Sequence, residues 1–327
     1  MPSAKTILRV LNLLTKASPE SVADTKRDPL LQLRQVLDSE NIVGVGISEK
    51  ISKKKPTGKL ALTFYVERKI DTKKLRGHQV VPPAVPEALS GREAVPTDVI
   101  ELGRLRPEAN ATRKPVQPGY SIGHVKVTAG TLGAVVRRSK GYQLLSNSHV
   151  LADSGKGKIG DKVLYPGKAD GGKAPKDLVG KLSRFKKFTT GGAFVNDVDC
   201  ALCAPDRERI KDVRPDIKGL GLPTGTGIAK RGMQVVKVGR TTGKTNGTVT
   251  DTNFRFVLNY PGVGDVGFRD QVLCTRYTKP GDSGSLVLDQ RTKKAVGLHF
   301  AGAKGGSVFN PIDRVLKALG VKLVTKA

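Results

Sequence analysis

Three short strings in this 327-residue sequence carry residues able to do chemistry together. "LSNSHVLA" (145–152) ends an apolar run in a small-residue turn and presents His149, one of only four histidines. "NDVDCALCA" (196–204) offers two carboxylates, Asp197 and Asp199, at the start of another apolar run, and "KPGDSGSLVLD" (279–289) holds Ser283 between glycines. A serine hydroxyl is a poor nucleophile at neutral pH unless a base within hydrogen-bond reach takes its proton. Imidazole has the suitable pKa, and needs a carboxylate to orient it. A tight turn entering a strand exposes the hydroxyl and aims the N–H groups of Gly281 and Ser283 at one spot, where an oxyanion would form. Losing one such donor costs about 3 kcal/mol in acyl transfer. The order His149, Asp199, Ser283 is one of the known orders of this constellation. The competing reading of the glycine-flanked serine is a plain hairpin turn.

The surrounding pattern says what must hold these groups. Ile7, Val10, Leu11 and Leu14, then Leu30, Leu31, Leu33 and Val36, recur at helical spacing, so the first 40 residues read as two amphipathic helices. "NIVGVGISEKI" and "KLALTFYVERKI" flank the turn string "SKKKPTG"; Leu60, Leu62, Phe64 and Val66 alternate at period two, predicting a hairpin with one buried face. From Gln79 to about Val116 the chain is Pro-rich and charged, which predicts an extended connector and a domain boundary near residue 117. Beyond it, some twelve short β-prone runs are separated by Gly, Pro, Asn, Asp or Lys turns, the texture of antiparallel barrels or a sandwich. Ile312, Val315, Leu316 and Leu319, with a stop at Gly320, predict a terminal helix packed on that β region.

Charge and cysteine usage bound the partners. Lys and Arg number 57 against 29 Asp and Glu, a net +28; residues 1–117 contribute +8 and residues 118–327 contribute +20. Such a balance favours anionic partners, nucleic acid, a membrane surface or acidic protein, or else reflects a dispersed solvated surface. Trp is absent and aromatics are 5%, so stacking platforms for single strands are poorly supplied, and no nucleic-acid-binding motif accompanies the charge. Cys200, Cys203 and Cys274 make an odd count with no second CxxC pair, so they are expected to be buried reduced thiols. No His/Cys/carboxylate cluster has ligand spacing, so neither metal nor cofactor is expected. With no leader-like segment and no run near the ~20 apolar residues of a membrane span, a cytoplasmic setting is expected.

"LLSNSHVLA", "DVDCALC" and "GDSGSLV…AVGLHFAG" resemble the catalytic blocks of the chymotrypsin-like (trypsin-like) serine peptidases across residues 118–320. The preface and "VGRTTGKTNGTV" are similar to the narrow-leaf type of plant and bacterial trypsin-like proteins. The resemblance implies a mainly β fold, a double antiparallel β-barrel with a C-terminal helix, preceded here by a small α+β region. It implies a serine endopeptidase with His149 as base, Asp199 as its orienter, Ser283 as nucleophile, and Gly281 with Ser283 as oxyanion donors. Asp199 is favoured over Asp197 because an apolar-small-apolar run follows it. The same resemblance assigns the primary pocket to Tyr277, Thr278 and the strand "GLHFAG" with His299 and Gly302, and implies binding of a Glu or Gln side chain. A buried histidine satisfied by backbone is the other reading of His299. His78 and His124 lack such context and are expected to be structural or exposed. The family's activation site, a basic residue before an Ile/Val-Val-Gly-Gly start, has no counterpart near residue 118, so Asp282 requires another charge partner. Either the oxyanion loop is constitutively formed, or it is ordered by residues 1–117 or by homo-oligomerisation. The alternative function is an inactive scaffold binding nucleic acid or acidic partners through its basic surface.

Overall fold

A computed structural model describes residues 2–15, 29–52, 55–91, 93–103, 115–139 and 141–325; the charged string 104–114 and two lysines of the "SKKKPTG" turn lie outside them. The architecture is the expected double β-barrel with a C-terminal helix. One sheet has eight strands, in the order Lys322–Leu323, Ala134–Arg138, Gly141–Ser146, Ala201–Pro205, Leu178–Phe185, Lys162–Leu164, Ser121–His124 and Gly130–Thr131, every pair antiparallel. Ile122 and Leu132, from one end of this sheet, share a core with Val135, Leu144, Leu182 and Cys203 from its middle, so the sheet wraps around one apolar interior.

Six strands of the second sheet close on themselves: Gly243–Tyr260, Gln234–Gly239, Leu286–Asp289, Ala295–Ala303, Gly306–Pro311 and Gly264–Cys274, with the last pairing back to the first. The helix Ile312–Leu319 turns Ile312, Val315 and Leu319 into the core shared by Val236, Leu286 and Leu298, and Gly320 ends it in the left-handed region at φ +64°. The chain's few aromatics are concentrated: of six Tyr and nine Phe, Tyr65, Phe188, Phe254, Phe256, Tyr260, Phe268 and Phe300 form one run of ring contacts in this barrel. Each buried ring removes roughly 1.5–3 kcal/mol worth of apolar surface from water. All three cysteines are free and buried.

The preface attaches to the closed barrel. Ile7, Val10, Leu11 and Leu14 of helix Ala4–Thr15, and Leu33 and Val36 of helix Pro29–Leu37, pack on Val45, Ile47, Leu62 and Phe64 of the hairpin Ile42–Ser52/Lys55–Val66. The hairpin extends the barrel sheet through the pairing Val45 with Arg255. Its expected single buried face is a misreading: Ala61, Leu62, Thr63, Phe64, Tyr65 and Val66 are all buried. Helices cover one face while Tyr65 joins the barrel's aromatic run on the other, which period-two alternation cannot foresee. The expected extended connector carries strands as well, Ala84–Val85 and Val95–Glu101, the latter parallel to Lys55–Val66. Pro96 sits at the start of its strand, ahead of the run paired with Lys55–Val66, which begins at Thr97 opposite Leu62. No helix among the described residues is long and apolar enough to cross a membrane.

Candidate active site

Strand register brings the base to its carboxylate. Gly141–Ser146 and Ala201–Pro205 pair antiparallel with Ala201 opposite Ser146, so stepping two residues back from Ala201 and two beyond Ser146 sets Asp199 beside Ser148. The chain leaves the strand there into the single helical turn Ser148–Leu151, and Asp199 Oδ1 accepts the N–H groups of Ser148 (2.6 Å) and His149 (3.2 Å). Asp199 Oδ2 lies 2.5 Å from His149 Nδ1 and accepts the Tyr260 hydroxyl at 2.8 Å. The carboxylate is fully buried, and its backbone is pinned by Asn147 and Asn310. An ionised carboxylate only accepts, so Nδ1 carries the proton and Nε2 presents a lone pair. Nε2 is buried and has no hydrogen-bond partner among the described residues. Asp197 lies outside this arrangement, partly exposed and paired with Arg269 (2.8 Å) and Arg314 (3.3 Å).

The serine turn is bound to both sheets. Thr131 N–H donates to Ser283 O (2.7 Å), Thr131 Oγ1 donates to Gly281 O (2.8 Å), and Ser146, three residues before His149, donates to Thr131 O (2.7 Å). Gly284 N–H bonds His299 O at 2.8 Å, and the Ser283 hydroxyl, expected to be exposed, is instead wholly buried and donates to Phe300 O at 3.3 Å, because the turn packs against the strand Ala295–Ala303. Both flanking glycines are required: Gly281 sits at φ +124°, and at Gly284 (φ +94°) a Cβ would come within 2.2 Å of Ser146 Oγ and of Thr131 O.

Asp282 has the counter-charge that its sequence neighbourhood lacks. Lys237, from Gln234–Gly239, places Nζ 3.0 Å from Asp282 Oδ2, with both side chains at 0% exposure. The same carboxylate accepts N–H from Thr241 (3.1 Å), Thr242 (3.2 Å) and Lys279 (3.0 Å), and the Thr242 hydroxyl at 2.6 Å. Burial alone would push this carboxyl up; the Lys237 ammonium and these donors outweigh it and hold Asp282 below the usual carboxylate range. The string "VGRTTGK" is therefore a clamp on the serine turn, and Lys237, Thr241 and Thr242 are residues that sequence reasoning did not single out. Tyr260 is another.

The residues expected to form the primary pocket are buried and linked pairwise. Thr278 Oγ1 lies 2.7 Å from Ser307 Oγ, Tyr277 and His299 rings stand 6.2 Å apart, and Gly302 is opposite Ser307 in the adjoining strand pair. Arg276 donates to the Thr278 and Ala303 carbonyls, tying these two segments together. His299 is fully buried and neither ring nitrogen finds a partner of good hydrogen-bond geometry among the described residues. Burial pushes this imidazole down to about 3, so it is neutral at physiological pH. His124 is buried too, but bonds Asp161 and the Lys126 N–H, a structural role; His78 is exposed. No group of three or more His, Cys, Asp or Glu is placed to hold a metal ion among the described residues.

No protein-family model and no curated protein matches the chain. Among solved structures it is similar to Protease A of Thermobifida fusca, 21% identical with a TM-score of 0.46, covering 64% of this chain and 99% of that one. It is similar to the chymotrypsin of Cellulomonas bogoriensis at 21% identity and a TM-score of 0.45, covering 64% and 99%. A glutamic acid specific serine protease described as using a histidine triad in substrate binding matches at 19% and 0.45, covering 64% and 100%. These are likenesses of chain trace, and the chemistry rests on the geometry above.

Proposed function

We propose that the protein is a serine endopeptidase. The observation that carries this reading is an imidazole clamped by Asp199 through Nδ1 with no hydrogen-bond partner on Nε2 among the described residues, in a segment whose Ser146 bonds Thr131, the residue that in turn bonds the glycine-flanked serine turn at Gly281 and Ser283, a turn also held by a buried ion pair. In this reading the Ser283 hydroxyl leaves its bond to the Phe300 carbonyl and attacks a peptide carbonyl while His149 Nε2 takes the proton. The N–H groups of Gly281 and Ser283 receive the oxyanion. The C–N bond then breaks as His149 returns the proton to the amine, leaving an acyl-serine that water hydrolyses by the same proton path.

The residue before the scissile bond is proposed to be Glu or Gln. A neutral, fully buried imidazole, with only a poorly aligned contact to the Val308 backbone, has one N–H donor and one acceptor, and Thr278, bonded to Ser307, adds a hydroxyl; these suit a side-chain amide or carboxylate and leave an Arg or Lys without a counter-charge. The excess of basic residues favours acidic chains as partners. Fluorophosphonate labelling of the full chain beside Ser283→Ala and His149→Ala tests the reading, with label expected on the unmodified protein alone. No label on any form, together with heparin retention of steep salt dependence, would replace it with a basic binding scaffold. A fluorogenic peptide panel tests the pocket: preference for Arg or Phe rejects the role of His299.

A further inference from the structure

We infer that Tyr260 is a positioning residue of the site, a fourth member whose hydroxyl sets how Asp199 faces His149. The inference rests on the reading that His149 and Asp199 serve Ser283. Tyr260 is the last residue of the long strand Gly243–Tyr260, 1% exposed, and its hydroxyl meets the same oxygen, Asp199 Oδ2, that the imidazole meets. Asp199 Oδ1 is already occupied by two backbone N–H groups. The two lone pairs of Oδ2 are therefore divided between one phenol and one imidazole, and the phenol's place decides which direction remains for Nδ1–H.

The ring is held so that this direction is fixed. Phe188 stacks on it at 4.8 Å and 29°, Phe268 lies at 6.4 Å, and the His149 ring is 6.0 Å away. The hydroxyl acts as a donor at any working pH, because burial and then the charge of Asp199 push its pKa well up. A donor on Oδ2 also draws charge from the oxygen that faces the imidazole. Of the other titratable groups near the pair, Cys200 adjoins the carboxylate and is kept a neutral thiol by burial, and His299 lies close enough to interact with His149 and is neutral. Tyr260 is a neutral group on the same carboxylate oxygen as His149, so its removal changes the charge the imidazole senses without adding or deleting an ion.

Tyr260→Phe in the full chain keeps the ring and its stack and removes only the hydroxyl. Expected are a displaced low-field Nδ1–H proton resonance of His149, kcat lower by about tenfold with KM within about twofold, and an acidic limb of kcat/KM moved to higher pH by several tenths of a unit. A merely structural tyrosine would lower folded yield and leave the resonance and the limb in place; that result overturns the inference. Should Tyr260→Phe fail to fold, 3-fluorotyrosine in place of Tyr260 is a stronger donor of nearly the same size and is expected to move the resonance and limb the opposite way; no movement overturns the inference. If the unmodified protein hydrolyses nothing, the peptidase reading falls alone, and the resonance still decides the role of Tyr260.

Discussion

Lys237→Met removes the ammonium 3.0 Å from Asp282 and nearly preserves the volume of a side chain that is wholly buried. Deleting one partner of a buried ion pair typically costs 3–5 kcal/mol, because the remaining charge is left in a poor solvent. Here Asp282 retains four donors, the N–H groups of Thr241, Thr242 and Lys279 and the Thr242 hydroxyl, which places the cost at the low end, about 3 kcal/mol. For a chain of 327 residues, with about 2.1 cal/mol/K of unfolding entropy per residue, that corresponds to a melting temperature lower by roughly 4–5 °C. The effect on chemistry is larger than the stability change suggests, since Asp282 separates Gly281 from Ser283 and a shift of that turn takes an oxyanion donor out of place. Loss of one donor lowers rates by about 10²–10³. The assay is a thermal melt read beside the rate of fluorophosphonate labelling. Adding Asp282→Asn removes the stranded charge and is expected to return most of the stability while labelling stays slow. A Lys237→Met protein that melts within 2 °C of the parent and labels within about twofold of its rate would refute the clamp.

Two further outcomes follow from the same geometry. Asp199→Asn presents an amide where His149 needs an acceptor and is expected to lower kcat by about three to four orders of magnitude, whereas Asp197→Asn breaks only half-exposed pairs and should leave kcat and the melting temperature within error. The pH dependence of stability separates two buried groups of opposite sign. His299 stays neutral to about 3 when folded, so its contribution is lost as pH falls below the unfolded value near 6.5; Asp251, pushed up to about 7 by burial, keeps its proton when folded, so its contribution is lost as pH rises from about 4 towards 7. Between about pH 4.5 and 6.5 the two slopes offset, and Asp251→Asn should expose the His299 slope, a loss of up to about 1.4 kcal/mol per pH unit of acidification beyond the parent's, read by urea unfolding across that range. A variant whose slope matches the parent's would sink this account of Asp251.

His149, Asp199 and Ser283 stand out in the sequence because each sits in a short string whose neighbours announce it: a turn after an apolar run, an apolar run after a carboxylate, glycines on both sides of a hydroxyl. What those strings do not contain is the register, and the choice between Asp197 and Asp199 is a register question, settled by Ala201 lying opposite Ser146. Lys237 was hidden for a different reason. In "QVVKVG" a lysine between valines reads as the solvent-facing position of an alternating strand, and only the approach of Asp282 from a turn forty-five residues later makes its burial tolerable. Tyr260 and the hairpin's second buried face share that cause: their partners come from strands with no local sign of the contact.

The strand Gly243–Tyr260 shows why these hidden residues belong to one device. Just before its first residue, Thr241 and Thr242 hold the carboxylate of the serine turn; at its last, Tyr260 holds the carboxylate of the histidine. Near its middle, Arg255 pairs with Val45 of the hairpin and bonds Asn12 and Thr15 of the first helix, and Asp251 accepts from Tyr65 at 3.3 Å. A strand paired along most of its length resists bending, so it couples the positions of the two carboxylates, Asp282 and Asp199, that its ends hold. The preface reinforces the middle of that same strand, where bulges against Gly264–Cys274 interrupt the barrel's own ladder at Asp251 and Phe254. Residues far from the site in sequence thus bear on its geometry through one rigid element, without touching any group that would react.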